Sequence, residues 1–234
     1  GALSNRNLII NGAMQVAQRG TSQASVSDGS NEGYQTLDRF SLTFGNSAGG
    51  VCTVSQATDV PSNEGFSNSY KVNVTTADTS IDATHQIYVH QKIEAQDVRN
   101  SGWNYTSTSS YVTLSFWAKS SKAGTYCLSV RADDVSGAKY YVFEYTLVAD
   151  TWKKITHSIP GDSSLVFNND VGSGLDVRWV LVTGTDRDDA TADQWNVVST
   201  NNAATSNQVN FFDSTSNDFY LTGVQLEVGE VATS

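Results

Sequence analysis

The chain has little of several things. Its 234 residues include 2 Cys, 2 Pro, 1 Met and 3 His, and 14 Lys and Arg stand against 24 Asp and Glu. With a formal net charge of -10 and a pI near 4.5, no spare basic charge is left to neutralise a phosphate backbone, so nucleic acid is not an expected partner. An anionic membrane surface is disfavoured for the same reason. No apolar run approaches the roughly 18 residues that a spanning helix requires. The longest pieces are of the size of Leu8-Ile9-Ile10 and Trp179-Val180-Leu181-Val182, and no membrane insertion is expected. The chain starts at Gly1 with no basic segment followed by an apolar one, so a secretory signal is absent or already removed.

Scarce chemistry-bearing residues exclude further classes. Cys52 and Cys127 make neither a zinc spacing nor a C-x-x-C motif. Each sits in a strand-like run, where cysteine is a small buried hydrophobe, and free thiols are expected rather than a disulfide. His85 and His90 are five apart on an expected strand, which puts them on opposite faces and prevents a shared metal. His157 ends the polar run Lys153-Lys154-Ile155-Thr156-His157 without a ligand spacing. All three histidines read as solvated or locally hydrogen-bonded, and no metal or cofactor is expected. No pair of carboxylates is singled out across a cleft as a glycosidase needs. The chain does not read as an enzyme.

What the chain has in quantity is 30 Ser, 24 Thr and 18 Asn, beside 38% hydrophobic residues that can supply a core. Hydrophobic residues recur with period two, the signature of half-buried strands. In Tyr111 to Lys119, Val112, Leu114, Phe116 and Ala118 point one way, while Thr113, Ser115, Trp117 and Lys119 point the other. Similar runs cover Leu37 to Phe44, Val51 to Gln56, Tyr70 to Thr75, His85 to Glu94, Thr125 to Ala132, Lys139 to Leu147, Trp152 to Ile159, Leu175 to Thr183, Val209 to Phe212 and Asp218 to Val228. Polar loops separate them: Gly20 to Gly33, Gly45 to Gly50, Asp59 to Ser69, Ser101 to Ser110, Pro160 to Gly174, Gly184 to Asp193 and Ser199 to Asn207. The one helical turn expected is Ala95 to Asn100. Many short strands, no repeat and no linker predict an all-β chain in which residues 1–234 form a single antiparallel β-sandwich.

Aromatic residues in polar loops carry the binding signal, because stacking on a sugar ring needs an exposed, rigid π-face beside groups that hydrogen-bond hydroxyls. Two places fit: Gly102-Trp103-Asn104-Tyr105 and Asp193-Gln194-Trp195-Asn196. Trp103, Asn104, Tyr105 and Trp195 are therefore candidate carbohydrate-binding residues. The plainer reading is that these rings cap the ends of the core. Asp186 and Asp188, in the acidic loop Thr185 to Asp193, join the candidates as hydroxyl acceptors. That loop lacks the glycine and glutamate positions of an EF-hand and otherwise reads as solvated. Trp117, Trp152 and Trp179 lie in alternating strands and read as packing residues.

Four segments carry a resemblance. Asn7-Leu8-Ile9-Ile10-Asn11-Gly12-Ala13-Met14-Gln15, Val112-Thr113-Leu114-Ser115-Phe116-Trp117-Ala118-Lys119, Asp150-Thr151-Trp152-Lys153-Lys154-Ile155 and Asp218-Phe219-Tyr220-Leu221-Thr222-Gly223-Val224-Gln225-Leu226 resemble the jelly-roll carbohydrate-binding modules attached to xylanases and cellulases. A closer similarity is to domains of tailed-bacteriophage fibre and related virion proteins. It is carried by Asn7 through Gly20, Tyr34 to Asp38-Arg39-Phe40, Ser120 to Tyr126, Ile159-Pro160-Gly161-Asp162 and Phe219 to Gly229. The resemblance implies a jelly-roll sandwich, a piece of a longer fibre, displayed at the virion exterior as a homotrimer or in many copies. It implies a non-catalytic role in attachment to host cell-surface polysaccharide or lipopolysaccharide, with other virion proteins as neighbours. Two alternatives stay open: a structural decoration or adaptor domain without ligand, and a glycan-active hydrolase. The structural calcium common in the sugar-binding modules is not expected, because its carboxylate positions read Met14-Gln15 and Thr222-Gly223 here. Asp38 or Arg39 is expected to satisfy backbone groups near the sandwich edge.

Overall fold

The alternating pattern builds two antiparallel sheets in the computed structural model, which describes residues 7–135, 138–197 and 202–233. Twelve strands are formed among the described residues: β1 (Ser22–Val26), β2 (Ser41–Gly45), β3 (Val51–Ala57), β4 (Ser69–Thr76), β5 (Gln86–Glu94), β6 (Tyr111–Ser120), β7 (Gly124–Ala132), β8 (Lys139–Leu147), β9 (Lys153–Pro160), β10 (Ser173–Thr183), β11 (Gln194–Val197) and β12 (Asp218–Val228). One sheet has the order β1-β3-β4-β12-β6-β9 and the other β11-β8-β7-β10-β5-β2. The chain passes repeatedly between them, as in a jelly roll. A five-residue helix α1 (Ala95–Arg99) follows β5, where the helical turn is expected from the sequence. No helix among the described residues is long and apolar enough to cross a membrane.

The inward faces meet around Trp179, which packs edge-on to Phe116 at 5.6 Å and tilted against Phe40 at 6.1 Å. Val112, Leu114, Phe116 and Ala118 of β6 are all buried on that side, as the alternation predicts. Cys52 and Cys127 are buried free thiols.

Several local expectations change. The run Leu37 to Phe44 is strand only from Ser41, because Arg39 adopts φ 73° and Phe40 N–H bonds back to the Leu37 carbonyl. Val209 to Phe212 is not a strand: Phe211–Asp213 form a 3-10 turn whose first N–H groups are capped by Asn210 Oδ1, accepting from Phe212 N–H at 2.9 Å. Both rings plug the end of the core, Phe212 standing edge-on to Phe44 at 5.6 Å. The loops Gly20 to Gly33 and Ser199 to Asn207 also differ from plain loops or lie partly outside view. The first contains β1, and residues 199–201 fall outside the described residues. The strand β11 lies in a stretch read as polar loop, because four residues are too short a run to mark a strand.

The first and last segments lie side by side. Asn7 bridges Glu227, Leu8 N–H donates to the Leu226 carbonyl at 2.8 Å, and Asn7 Oδ1 accepts from Leu226 N–H at 3.0 Å. Asn11 holds the following hook, its side chain bonding Val16 N–H, Val16 O and Asp38 O. Asp38 in turn accepts from Gln18 N–H, so it serves backbone groups as expected.

Candidate functional site

A break in one strand shapes a cleft on the first sheet. β12 loses register with β6 between Thr222 and Gln225, and Gly223 there adopts φ 62°. A β-carbon at Gly223 would fall 2.6 Å from the Phe66 ring and 3.1 Å from the Trp117 indole. Glycine thus supplies both the left-handed conformation and the bare surface over which two rings lie. On the far side Gly12 presses against the Val224 carbonyl while its own carbonyl accepts Val224 N–H at 3.1 Å. Between these contacts opens a cleft of about 350 Å³, lined by Asn7, Gly12, Ala13, Glu64, Phe66, Trp117, Lys154, Gly223, Val224 and Gln225.

Its chemistry is mixed. Trp117 and Phe66 are half-buried, so each keeps a stable pose and part of its surface in solvent. The side chains of Glu64 and Lys154 are exposed and make no hydrogen bond or ion pair among the described residues. Gln225 uses only Oε1, accepting from Ser115 Oγ at 3.4 Å, and Asn7 uses only Oδ1. Ring faces beside uncommitted donors and acceptors suit a ligand with apolar C–H faces and hydroxyl edges.

The wall formed by the β3–β4 loop is pinned down. Asp59 accepts from Lys119 Nζ and from Trp152 Nε1, the latter at 3.0 Å. The Lys119 ammonium also lies over the Tyr220 ring at 4.5 Å and the Trp152 ring at 5.6 Å. Thr222 Oγ1 donates to the Asn68 carbonyl at 2.8 Å, and Ser69 Oγ to the Asp59 carbonyl at 2.6 Å. Burial pushes the Asp59 carboxyl up, but the hydrogen bonds from Lys119 and Trp152 and the charges of Lys119 and Lys71 outweigh it and hold it below the usual carboxylate range.

The residues singled out from the loops lie elsewhere. Trp103 is 3% exposed, packed 6.2 Å from Phe167, with Nε1 donating to the Ser110 carbonyl at 3.1 Å. It caps the core and offers no free face, which corrects its reading as a stacking residue. Asn104 is exposed, and half-buried Tyr105 stands edge-on to Phe167 at 4.9 Å. Trp195 is half-buried, 5.6 Å from Tyr141, with Nε1 donating to the Pro160 carbonyl at 2.8 Å. Asp162 N–H donates to the Tyr105 carbonyl, so the Pro160–Asp162 turn stands between Trp195 and the 103–105 loop and brings them near each other. Asp186 and Asp188 sit apart from both, tied to the 83–84 turn by Asp186 N–H to Ala83 O and Arg187 Nε to Thr84 O. Burial and the neighbouring Asp189 and Asp186 raise the Asp188 carboxyl.

None of those six residues lines the Trp117 cleft. Trp117 and Trp152, expected to be packing residues, are half-buried on the outer face, and only Trp179 is fully enclosed. The missed signal was in the β6 alternation itself, where Trp117 falls on the face opposite Phe116. Among the described residues no group of three or more His, Cys, Asp or Glu side chains is placed to hold a metal ion.

Fold and cleft together define a two-sheet antiparallel β-sandwich with a solvent-open aromatic cleft on one sheet. No protein-family model matches the chain, and neither does any curated protein sequence. Solved structures similar to it include the C-terminal family 22 carbohydrate binding module of Clostridium thermocellum Xyn10B, at 12% identity and a TM-score of 0.46, covering 93% of this chain and 100% of that one. A sugar binding protein from Bacteroides thetaiotaomicron, described as putative, has 14% identity and a TM-score of 0.46, with 96% and 100% covered. The enzymatically active domain of bacteriophage CBA120 tailspike protein 4 has 17% identity and a TM-score of 0.45 over 88% of this chain. The chain spans 21% of that tailspike structure's length. These likenesses assign neither ligand nor role.

Proposed function

We propose that this protein is a non-catalytic carbohydrate-binding domain whose ligand lies in the Trp117 cleft. The observation that carries the reading is the pair of half-buried rings, Trp117 and Phe66, held over Gly223 beside the unpaired Glu64 and Lys154. A sugar ring stacks its C–H face on the indole while its hydroxyls bond Glu64, Lys154 and the Gln225 amide. Resemblance of the sequence to phage fibre domains extends the reading to a virion-surface module that attaches to host polysaccharide or lipopolysaccharide. Each such contact is weak, and display in several copies raises the avidity.

A glycan array and a whole-cell binding assay on the intact domain, Trp117→Ala and Trp195→Ala test it. Binding falls at least about tenfold, or ~1.4 kcal/mol, in Trp117→Ala and is retained in Trp195→Ala. Loss confined to Trp195→Ala moves the site to the Trp195–Tyr105 side. An array without signal favours a structural virion domain.

A further inference from the structure

Next to the cleft, one step along the same sheet face, stand two more half-buried rings. β6 and β12 pair Trp117 with Thr222 and Lys119 with Tyr220, and β9 places Lys154 opposite Trp117 and Lys153 opposite Ala118. Trp152 directly precedes Lys153 and so stands at the level of Lys119, its ring centroid 6.1 Å from that of Tyr220. Two residues advance a strand by about 7 Å, which sets the Trp152–Tyr220 pair beside Trp117 on the same face.

The groups around these rings are polar. Asp59 accepts from Trp152 and Lys119, and a carboxylate with about four lone-pair sites keeps capacity for hydroxyl donors. Over the cleft and this strip, Lys71, Lys119 and Lys154 stand against Asp59, Glu64 and Asp218, so the surface is balanced on a chain whose net charge is -10. A polyanion is repelled by the body of the protein and meets no compensating positive field here.

We propose that the Trp152–Tyr220 surface is a second subsite continuous with the cleft, and that the ligand is a neutral glycan chain of several units rather than a single terminal sugar. This rests on the carbohydrate reading of the Trp117 cleft. One sugar unit occupies the cleft over Trp117; the next units run along β6 past Asp59 and cover the exposed parts of Trp152 and Tyr220.

The probe is a one- to six-unit oligosaccharide ladder made by partial acid hydrolysis of the polysaccharide with the strongest array signal. It is titrated by calorimetry into the intact domain, Trp152→Ala, Trp152→Phe and Trp117→Ala. Affinity rises at least tenfold from the shortest to the longer members within the intact domain; Trp152→Ala abolishes that ratio, and Trp152→Phe, which loses the same indole bond to Asp59 but keeps a ring, retains most of it. Should the alanine variant fold poorly, Tyr220→Leu is measured for the same loss of length dependence. Affinity independent of length, or a length gain untouched by these substitutions, overturns the second subsite and leaves the cleft standing. Preference for a uronic-acid chain that salt abolishes overturns the neutral ligand. No binding by any array glycan, with Trp117→Ala silent in the cell assay, overturns both readings.

Discussion

Gly12 lies so close against the Val224 carbonyl that no β-carbon fits between them. This contact is the seam between the first segment of the chain and its last strand, and it forms one wall of the cleft. Gly12→Ala must push the two segments apart. Overpacking of this kind costs about 1–3 kcal/mol, read as a lower urea midpoint with unchanged slope.

Trp103 separates structural aromatics from binding ones. Trp103→Ala empties the space beneath Phe167 and leaves the Ser110 carbonyl without its indole donor. A loss of about 3–5 kcal/mol is expected in urea unfolding. Glycan binding per folded molecule stays at the level of the unaltered protein, whereas Trp117→Ala shows the opposite pattern.

Asp176 sets an acid limit on stability. It is fully buried on the outer side of the second sheet, accepting from His90 Nδ1 at 2.7 Å and from Arg178 Nε and Nη2 at 2.8 and 2.7 Å. Burial pushes its carboxyl up, but the His90 hydrogen bond and the Arg178 charge prevail and hold it at about 2. An unfolded aspartate titrates near ~3.9. Because the folded value is depressed, the contribution is complete above pH ~4 and disappears as pH falls through about 2. Asp176→Asn leaves Arg178 buried without its counter-charge, costing about 3–5 kcal/mol at neutral pH. Urea midpoints measured from pH 6 to 2 fall more steeply between pH 4 and 2 in the unaltered protein than in the variant.

The two thiols are inert while the fold is intact. Burial pushes Cys52 up to about 12 and raises Cys127 as well, so almost no thiolate is present at pH 8. A disulfide-exchange reagent is expected to titrate no thiol in the native protein and two per chain in denaturant.

The sandwich was legible because its strands are half-buried, and half-burial writes a period of two into the chain. β6 shows how far that goes: its inward and outward residues separate in the sequence as they do in space, except that Thr113 and Ser115 are also buried, beneath neighbouring groups. Short strands such as β11 escaped, because four residues hold too little alternation to be read. The loop aromatics misled for a related reason. A polar neighbourhood in sequence does not decide exposure, and Trp103 lies under Phe167, which is 64 residues away in the chain and invisible to local pattern. The cleft needed contacts between residues as distant as Gly12 and Val224, and only the folded chain brings Glu64, Trp117 and Lys154 to one place.

The antiparallel seam of Asn7 with Glu227 also governs how pulling forces travel. Both of these segments stand beside the cleft that Asn7, Gly12 and Gln225 help to line. Any pull on a ligand seated in that cleft is therefore felt by the first segment and the last strand together.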